Sequence, residues 1–477
     1  MAEYLSPGVY IEALETGVKP IAGVSTSTVG FVGVSGLIQV LPKEDKLPTN
    51  NDITTSLDNL KAKLAEAILE ERAKNNSDLI NAVNEMPLLV ETIEKEIKQI
   101  RNPVKKLAAQ KDLKSIKNIV AKAKEVALYV TYADKPTFIS GWSDFVSKFG
   151  IYIEDSYLAP SVYSFFVNGG KRCYVVSVKD ENKASIIGTN DELKGRTGLT
   201  SLEEIDEVSI VCIPGVTDGD IQLAMITHCE KMEDRFCIFD SIKGATLNKV
   251  ITQKNNLISD RGIGAFYYPW IKTAIEKKDT VGNIILDNML IPPSGAMAGI
   301  YARSDAERGV HKAPANEVLR RVTELERSIT KAEQDILNPL NINCIRAFQG
   351  HGIRVWGART IAPKGSEWKY INVRRLFLFL EESIYRSTQW VVFEPNNEVL
   401  WARVRESINN FLFGIWRNGA LMGRSPKEAF FVKCDRSTMT YSDIDAGKLI
   451  VVIGLAPIRP AEFVILKITQ FTANANS

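Results

Sequence analysis

No apolar run in this chain approaches the roughly 18 residues that cross a bilayer, so it does not read as an integral membrane protein. It also lacks a basic-then-apolar leader, which leads to the expectation that it is made and folds in the cytoplasm. Charge of one sign is missing too. With 59 Lys+Arg against 57 Asp+Glu, the net charge of +2 gives no whole-chain argument for nucleic acid or a membrane surface. The six cysteines (Cys173, Cys212, Cys229, Cys237, Cys344, Cys434) contain no CxxC pair and no metal-ligand spacing, so buried reduced thiols are expected. What remains is an ordinary globular composition, 45% hydrophobic and 24% charged, on 477 residues, enough for about two to four domains.

Catalytic motifs are equally scarce. No G-x-x-x-x-G-K-[ST] phosphate loop occurs, and "GATLNKV" has neither the spacing nor a hydroxyl after Lys249. "RGIGAF" lacks a third glycine and leads into a strand, while "GVSTS" and "GVSGL" miss the G-x-S-x-G elbow. Of three histidines, His228 adjoins Cys229 on one helix, where neighbouring side chains diverge by about 100°. It is expected on the helix surface. His311 and His351 sit in loop-like stretches. Asp240 ends a strand, where α/β enzymes place carboxylates, and Asp218 and Asp220 flank a helix start. Helix capping explains the latter pair better than a divalent-metal cluster. No catalytic, cofactor or metal residue is therefore assigned.

One long stretch lacks two residue classes. There is no glycine between Gly36 and Gly141 and no aromatic residue between Phe31 and Tyr129. Apolar residues recur there at helical spacing: Leu57, Leu60, Leu64, Ile68, then Ile93, Ile97, Ile100, then Ile116, Ile119, Ala123, Val126. Residues 41–134 read as an inserted helical subdomain. Segment 95–124 carries ten Lys/Arg against two acidic residues. Without interleaved aromatics for base stacking, a solvated helix face is preferred over a phosphate- or membrane-facing patch.

Around the insertion the fold class reads as α/β: mixed α/β core domains, an inserted helical subdomain, and terminal arms. Residues 25–40 hold the first core strand, and 135–335 alternate strands such as "RCYVVSV", "EVSIVCIPG" and "RFCIFDS" with helices, implying a largely parallel sheet. Residues 336–460 form a C-terminal domain, where "NEVLWARVRESINNFLFGIW" puts Leu400, Val404, Ile408, Phe411 and Ile415 on one helical face, capped by Asn396 or Asn397. The arms are residues 1–24 and 461–477. In "YLSPGVYIEAL" Val9 and Ile11 point one way and Tyr10 and Glu12 the other; "AEFVILKITQF" is a second terminal strand. Neither has a hairpin mate, and an unpaired apolar strand is an aggregation hazard unless another chain receives it.

These residues carry a resemblance. "YLSPGVYIEAL", "IAGVSTSTVGFVG", "YLAPSVYSFFVNGGKRCYVV", "IPPSGAMAGIYARSDAERGVHKAPAN", "GIRVWGARTI", "WKYINVRRLF", "WVVFEPNN" and "AEFVILKITQ" follow in the order of the contractile tail sheath family of phages and injection systems, and the chain resembles it nearly throughout outside 41–134. His351 and the insertion depart from the family pattern.

The resemblance implies a structural sheath subunit, not an enzyme, that polymerises around an inner tube and contracts to drive it through an envelope. It implies strand exchange between neighbouring subunits through Val9, Tyr10, Ile11 and Glu12 and through Phe463, Val464, Ile465, Leu466 and Ile468. Arg303, Asp305, Glu307, Arg308 and Lys312 are candidates for inter-subunit ion pairs, with a solvated loop as the alternative; Arg374, Arg375, Arg403 and Arg405 are candidates for facing the tube. The implied partners are further copies of the chain, the inner tube, baseplate and terminal cap proteins, and sister sheath proteins. No cofactor, nucleic acid or membrane insertion is implied. The implied place is a phage tail or tail-like particle, assembled in the bacterial cytoplasm, released or envelope-anchored. The rival readings are a non-contractile structural or baseplate component and, more remotely, an α/β hydrolase-type enzyme with a pocket near Asp218 or Asp240.

Overall fold

A computed structural model describes residues 19–36, 132–191, 193, 195–278, 284–463 and 465. The expected N-terminal strand 4–14, almost all of the expected 41–134 insertion, and Val464 and the residues beyond Ile465 of the expected C-terminal strand lie outside the described residues. The chain divides into two compact units, Ser25–Arg375 and a smaller one of residues up to Val24 with Leu376 onward.

In the larger unit the strands are β1 Val29–Val34, β2 Thr137–Ile139, β3 Cys173–Val178, β4 Asn190–Asp191, β5 Gly195–Arg196, β6 Ile210–Cys212, β7 Phe236–Asp240, β8 Gly264–Tyr268, β9 Ile271–Lys278, β10 Ile284–Ile291, β11 Val322–Leu325, β12 Ile342–Phe348 and β13 Gly352–Trp356. Eight of them form one sheet in the order β13-β12-β8-β7-β6-β1-β3-β2. The six inner strands are parallel; β2 and β13 are antiparallel edges. The parallel α/β reading holds, for a plain reason. VGFVGV, CYVVSV and FCIFD are almost continuously apolar because both sheet faces are covered, and their residues are nearly all buried. The chain runs from β1 to β3 on one side and then from β6 outward on the other, a doubly wound order whose switch point lies between β1 and β6. The expected domain boundary at 335/336 falls ahead of β12, whose parallel pairing with β8 (Ile342 opposite Phe266) keeps it in the large sheet. β9, β10 and β11 form a separate three-stranded sheet.

The helices of this unit are α1 Trp142–Phe149, α2 Leu158–Asn168, α3 Lys183–Ile187, α4 Gly219–Met232, α5 Leu247–Asn255, α6 Ser294–Arg308 and α7 Lys331–Leu337. The α2–α6 contact accounts for the run "SGAMAGIYA". Gly295 and Gly299 lie one turn apart on α6, and a Cβ on either would come within 2.2 Å of the Ser161 carbonyl oxygen or 2.4 Å of that of Phe165. Only hydrogen fits there, so the two helices touch backbone to backbone.

One expectation fails. His228 is buried on α4, not exposed, because Arg235 is fully buried beneath it and needs acceptors. Arg235 Nη1 lies 3.1 Å from His228 Nε2 and donates to Leu202 O, and its Nη2 donates to Ile205 O. Burial, then Arg235 and Lys231, push the His228 pKa down to about 3.

The smaller unit contains most of α8 Ile371–Ser387, then α9 Glu398–Arg417, α10 Pro426–Ala429, β14 Phe430–Lys433, α11 Tyr441–Asp445 and β15 Val452–Leu455. Asn397 caps α9, its side chain accepting from Val399 and Leu400 N–H at 3.1 Å. Leu400, Val404 and Ile408 are buried as the periodicity predicts, while Phe411 and Ile415 are half-buried.

Candidate functional site

Chemistry at the carboxyl edge of the large sheet is the first question. Asp240, at the end of β7, is buried and already surrounded by donors. Ser294 N–H and Oγ reach it at 2.8 and 2.7 Å and Gly215 N–H at 3.1 Å. Burial pushes its carboxyl up to about 6, against those hydrogen bonds. Ser294 opens α6, and next to Asp240 in the chain Ser241 O accepts from Trp270 Nε1 at 2.6 Å, the Trp270 ring lying edge-on to Tyr157 with centroids 4.9 Å apart. Asp218 is a helix cap, accepting from Asp220 and Ile221 N–H, and Asp220 pairs with Lys183. Among the described residues no group of three His, Cys, Asp or Glu is placed to hold a metal, and all six cysteines are free and buried.

Two residues assigned from sequence to different surfaces are each other's partners. Asp305 and Arg375 form a two-pronged ion pair at 2.9 and 2.7 Å, with side chains 6% and 3% exposed. Arg375 also donates to Thr26 O at 2.7 Å, Thr26 Oγ1 donates to Asp305 at 2.6 Å, and the guanidinium lies 4.6 Å from the Tyr301 ring centre. Burial opposes the Arg375 charge, but Asp305 outweighs it and the pKa moves up. Arg303 is buried as well, donating to Asn168 O and Val318 O and facing Glu317; Lys312 donates to Ala313 O and Ala315 O. Arg303, Asp305 and Lys312 thus have partners within their own unit, where the sequence offers them as candidates for ion pairs between copies; Lys312 stays partly exposed. Glu307 and Arg308 remain exposed. Arg374 and Arg375 are buried, so neither presents a charge to a tube, whereas Arg403 and Arg405 on α9 are half-buried, Arg405 donating to Cys434 O at 3.2 Å.

The smaller unit holds the open surface. β14 and β15 pair antiparallel, Phe430 opposite Leu455 through Lys433 opposite Val452, and among the described residues they form a sheet of two strands alone. Such a sheet leaves two rows of backbone donors and acceptors without a ladder. Beside β15 lies a cleft of about 790 Å³ lined by apolar side chains, chiefly Leu400, Val404 and Ile408 of α9 with Leu449, Val451 and Ile453. Val392 and Phe393 stand at its rim, and Glu394 is the charged residue of its lining.

The described roots of both arms belong to this unit. Ser383 Oγ accepts from Val24 N–H at 3.1 Å while donating to Phe379 O at 2.6 Å, and Ala22 N–H donates to Ser387 Oγ at 3.2 Å. A Cβ on Gly23 would touch the Phe379 ring at 3.0 Å, and Lys19 Nζ lies 5.1 Å from the centre of Trp390. The root of the N-terminal arm is therefore laid along α8. At the other end Phe463 and Ile465 are 71% and 80% exposed. Val9, Tyr10, Ile11, Glu12, Val464, Leu466 and Ile468 lie outside the described residues. Sequence reasoning missed Thr26, Tyr301 and the cleft; only "WVVFEPNN", with adjacent apolar residues just before a proline, hinted at an exposed apolar loop.

Residues 189–361 match the family of the phage tail sheath protein central domain, and residues 363–471 that of the phage tail sheath C-terminal domain. The tail sheath protein of Vibrio phage KVP40 is 27% identical over 192 residues, 40% of this chain and 28% of the relative. That of Burkholderia phage BcepMu is 27% identical over 274 residues, 51% of this chain and 55% of the relative. The chain thus spans between about a quarter and about half of the length of these relatives. Among solved structures, the sheath complex of the extracellular contractile injection system PVC in its contracted state is 28% identical, with a TM-score of 0.65 over 99% of both chains. The contracted helical sheath of the anti-feeding prophage is 26% identical, with a TM-score of 0.64 over 98% of this chain and 100% of that one.

Proposed function

The chain belongs to the phage tail sheath family, and we propose on that premise that it is the repeating subunit of a contractile sheath. Copies polymerise in stacked rings around an inner tube, joined to a baseplate at one end and a cap at the other. Contraction repacks subunit faces and drives the tube forward, within a phage tail or a tail-like particle. The work is mechanical, and no bond is made or broken in the subunit. A difference of about 2 kcal/mol per subunit, the scale of one well-made interface contact, summed over hundreds of copies, is ample.

The observation that carries this reading is the likeness along 99% of the chain to a sheath subunit in its contracted state. The open two-stranded sheet adds a mechanism. Among the described residues each copy leaves the outer edges of β14 and β15 without a further strand, and its sequence carries two terminal segments of strand-like pattern. Residues 9–12 and 463–468 of neighbouring copies complete the sheet, at about 0.5–1.5 kcal/mol for each backbone hydrogen bond formed. The exposed stripe of α9, with Arg403 and Arg405 beside it, faces the inner tube. Glu307 and Arg308 are left as the charges of α6 for ion pairs between copies.

The test is microscopy of the purified chain. Striated hollow tubes are expected, and dispersed particles would overturn the proposal. Deleting residues 1–14 is expected to yield soluble subunits that no longer form stable tubes, and full-length tubes from that variant would refute the role of the N-terminal arm.

A further inference from the structure

The loop between α8 and α9 contradicts its own chemistry at one residue. A single 3-10 turn, Gln389–Val391, opens it, and Glu394 N–H donates to Val391 O at 3.2 Å. Its far side is pinned by Asn396, which accepts from Trp401 Nε1 at 2.7 Å and donates to Lys448 O at 3.1 Å. Pro395 follows Glu394 and disfavours the helical region there. Between these anchors Phe393 is held at φ +69°, in the left-handed region that glycine or asparagine enters far more readily. Its ring is also fully exposed, at 103%. A turn alone would be served by a small residue and a solvent face by a polar one. Phenylalanine serves neither, which marks a ring displayed for a partner.

The place of the ring identifies the partner. Phe393 stands at the mouth of the cleft beside β15, and Glu394 next to it is the one charged residue in the cleft's lining among the described residues. Of the chain's two terminal segments with a strand-like pattern, "YIEAL" carries the acidic Glu12, of the same sign as Glu394, whereas "FVILKI" carries a single charge, Lys467. The second also leaves its own body with Phe463 and Ile465 exposed. We propose that Phe393 is the lid of a strand-receiving cleft: it closes over residues 463–468 of a second copy lying along β15, with Glu394 meeting Lys467. This rests on the strand-exchange reading above and adds the residues that select and retain the C-terminal strand.

Three variants of the full chain test it. Phe393→Gly suits the backbone and removes the ring. Its thermal unfolding midpoint is expected at or above that of the parent, with a critical concentration for tube assembly raised at least ten-fold; assembly at the parent's concentration overturns the lid. Deleting residues 462–477 tests the underlying reading separately, since normal tubes from that variant would remove strand donation itself. The double variant F393C/I465C, oxidised with copper phenanthroline, is expected to give disulfide-linked ladders of copies, the six native thiols being buried. Ladders from F393C/I11C and none from F393C/I465C would overturn the choice of strand.

Discussion

Replacing Arg375 with methionine isolates the best-defined polar device in the molecule. The substitution keeps most of the side-chain volume and deletes three hydrogen bonds, two to Asp305 and one to Thr26 O. Asp305 would stay buried, its side chain 6% exposed, with only the Thr26 hydroxyl at 2.6 Å as a known donor. Stripping one partner from a buried ion pair costs about 3–5 kcal/mol, because the remaining charge has lost its compensation. Removing both charges together, as in D305L/R375M, avoids that penalty and is expected to recover most of the loss. Urea unfolding of the unassembled full chain, run as a double-mutant cycle, measures both numbers. A loss under about 1 kcal/mol for Arg375→Met would mean that Asp305 is hydrated, and the pinning of Thr26 between α6 and α8 would fail with it.

Two further perturbations probe the same unit. His228 has a folded pKa of about 3 against an ordinary 6.5, so below pH 6.5 the unfolded chain takes up a proton that the folded one refuses, and this group's share of stability falls as pH drops toward 3. Asp240 is displaced the other way, from 3.8 to about 6, so the folded chain holds a proton that the unfolded one has lost, and its share rises as pH drops through the same window. Between about pH 4 and 6 the two slopes, each on the order of 1.4 kcal/mol per pH unit, oppose each other. His228→Gln, whose amide oxygen can still accept from Arg235, is expected to expose the Asp240 slope as stability that increases on acidification from pH 6 to 4. Denaturation at a series of pH values reads it, and an unchanged pH profile would refute the buried, neutral histidine. Gly299→Ala puts a methyl 2.4 Å from the Phe165 carbonyl oxygen. Thermal melting should show a destabilisation of about 1–3 kcal/mol, the usual effect of overpacking, and a neutral result would mean that α2 and α6 are free to separate.

Local chemistry made much of the molecule legible. Continuous apolar runs such as CYVVSV and FCIFD disclosed buried parallel strands, because a strand covered on both faces has no reason to alternate. The 3.6-residue spacing of Leu400, Val404 and Ile408, behind an asparagine cap, placed α9. The Gly295 and Gly299 pair was visible in the most family-specific run, although its reason, two helices in backbone contact, was not. Isolated charges misled: Asp305 and Arg375 are 70 residues apart in the chain, and nothing in either neighbourhood announces the other.

What the sequence by itself determined is the α/β class, the strand and helix pattern of the larger unit, the absence of a recognisable catalytic motif, and the membership signalled by motifs in order along the chain. Periodicity, capping and motif spacing are properties of neighbours, so they survive without coordinates. Only the tertiary structure decided which charges are consumed internally, that His228 is buried, that the Asp240 carboxylate is taken up by donors from Gly215 and Ser294, and that an apolar cleft lies beside β15 with a strained phenylalanine at its rim. Those depend on residues brought together from distant parts of the chain, and burial and pairing are settled by whatever folding packs against a side chain.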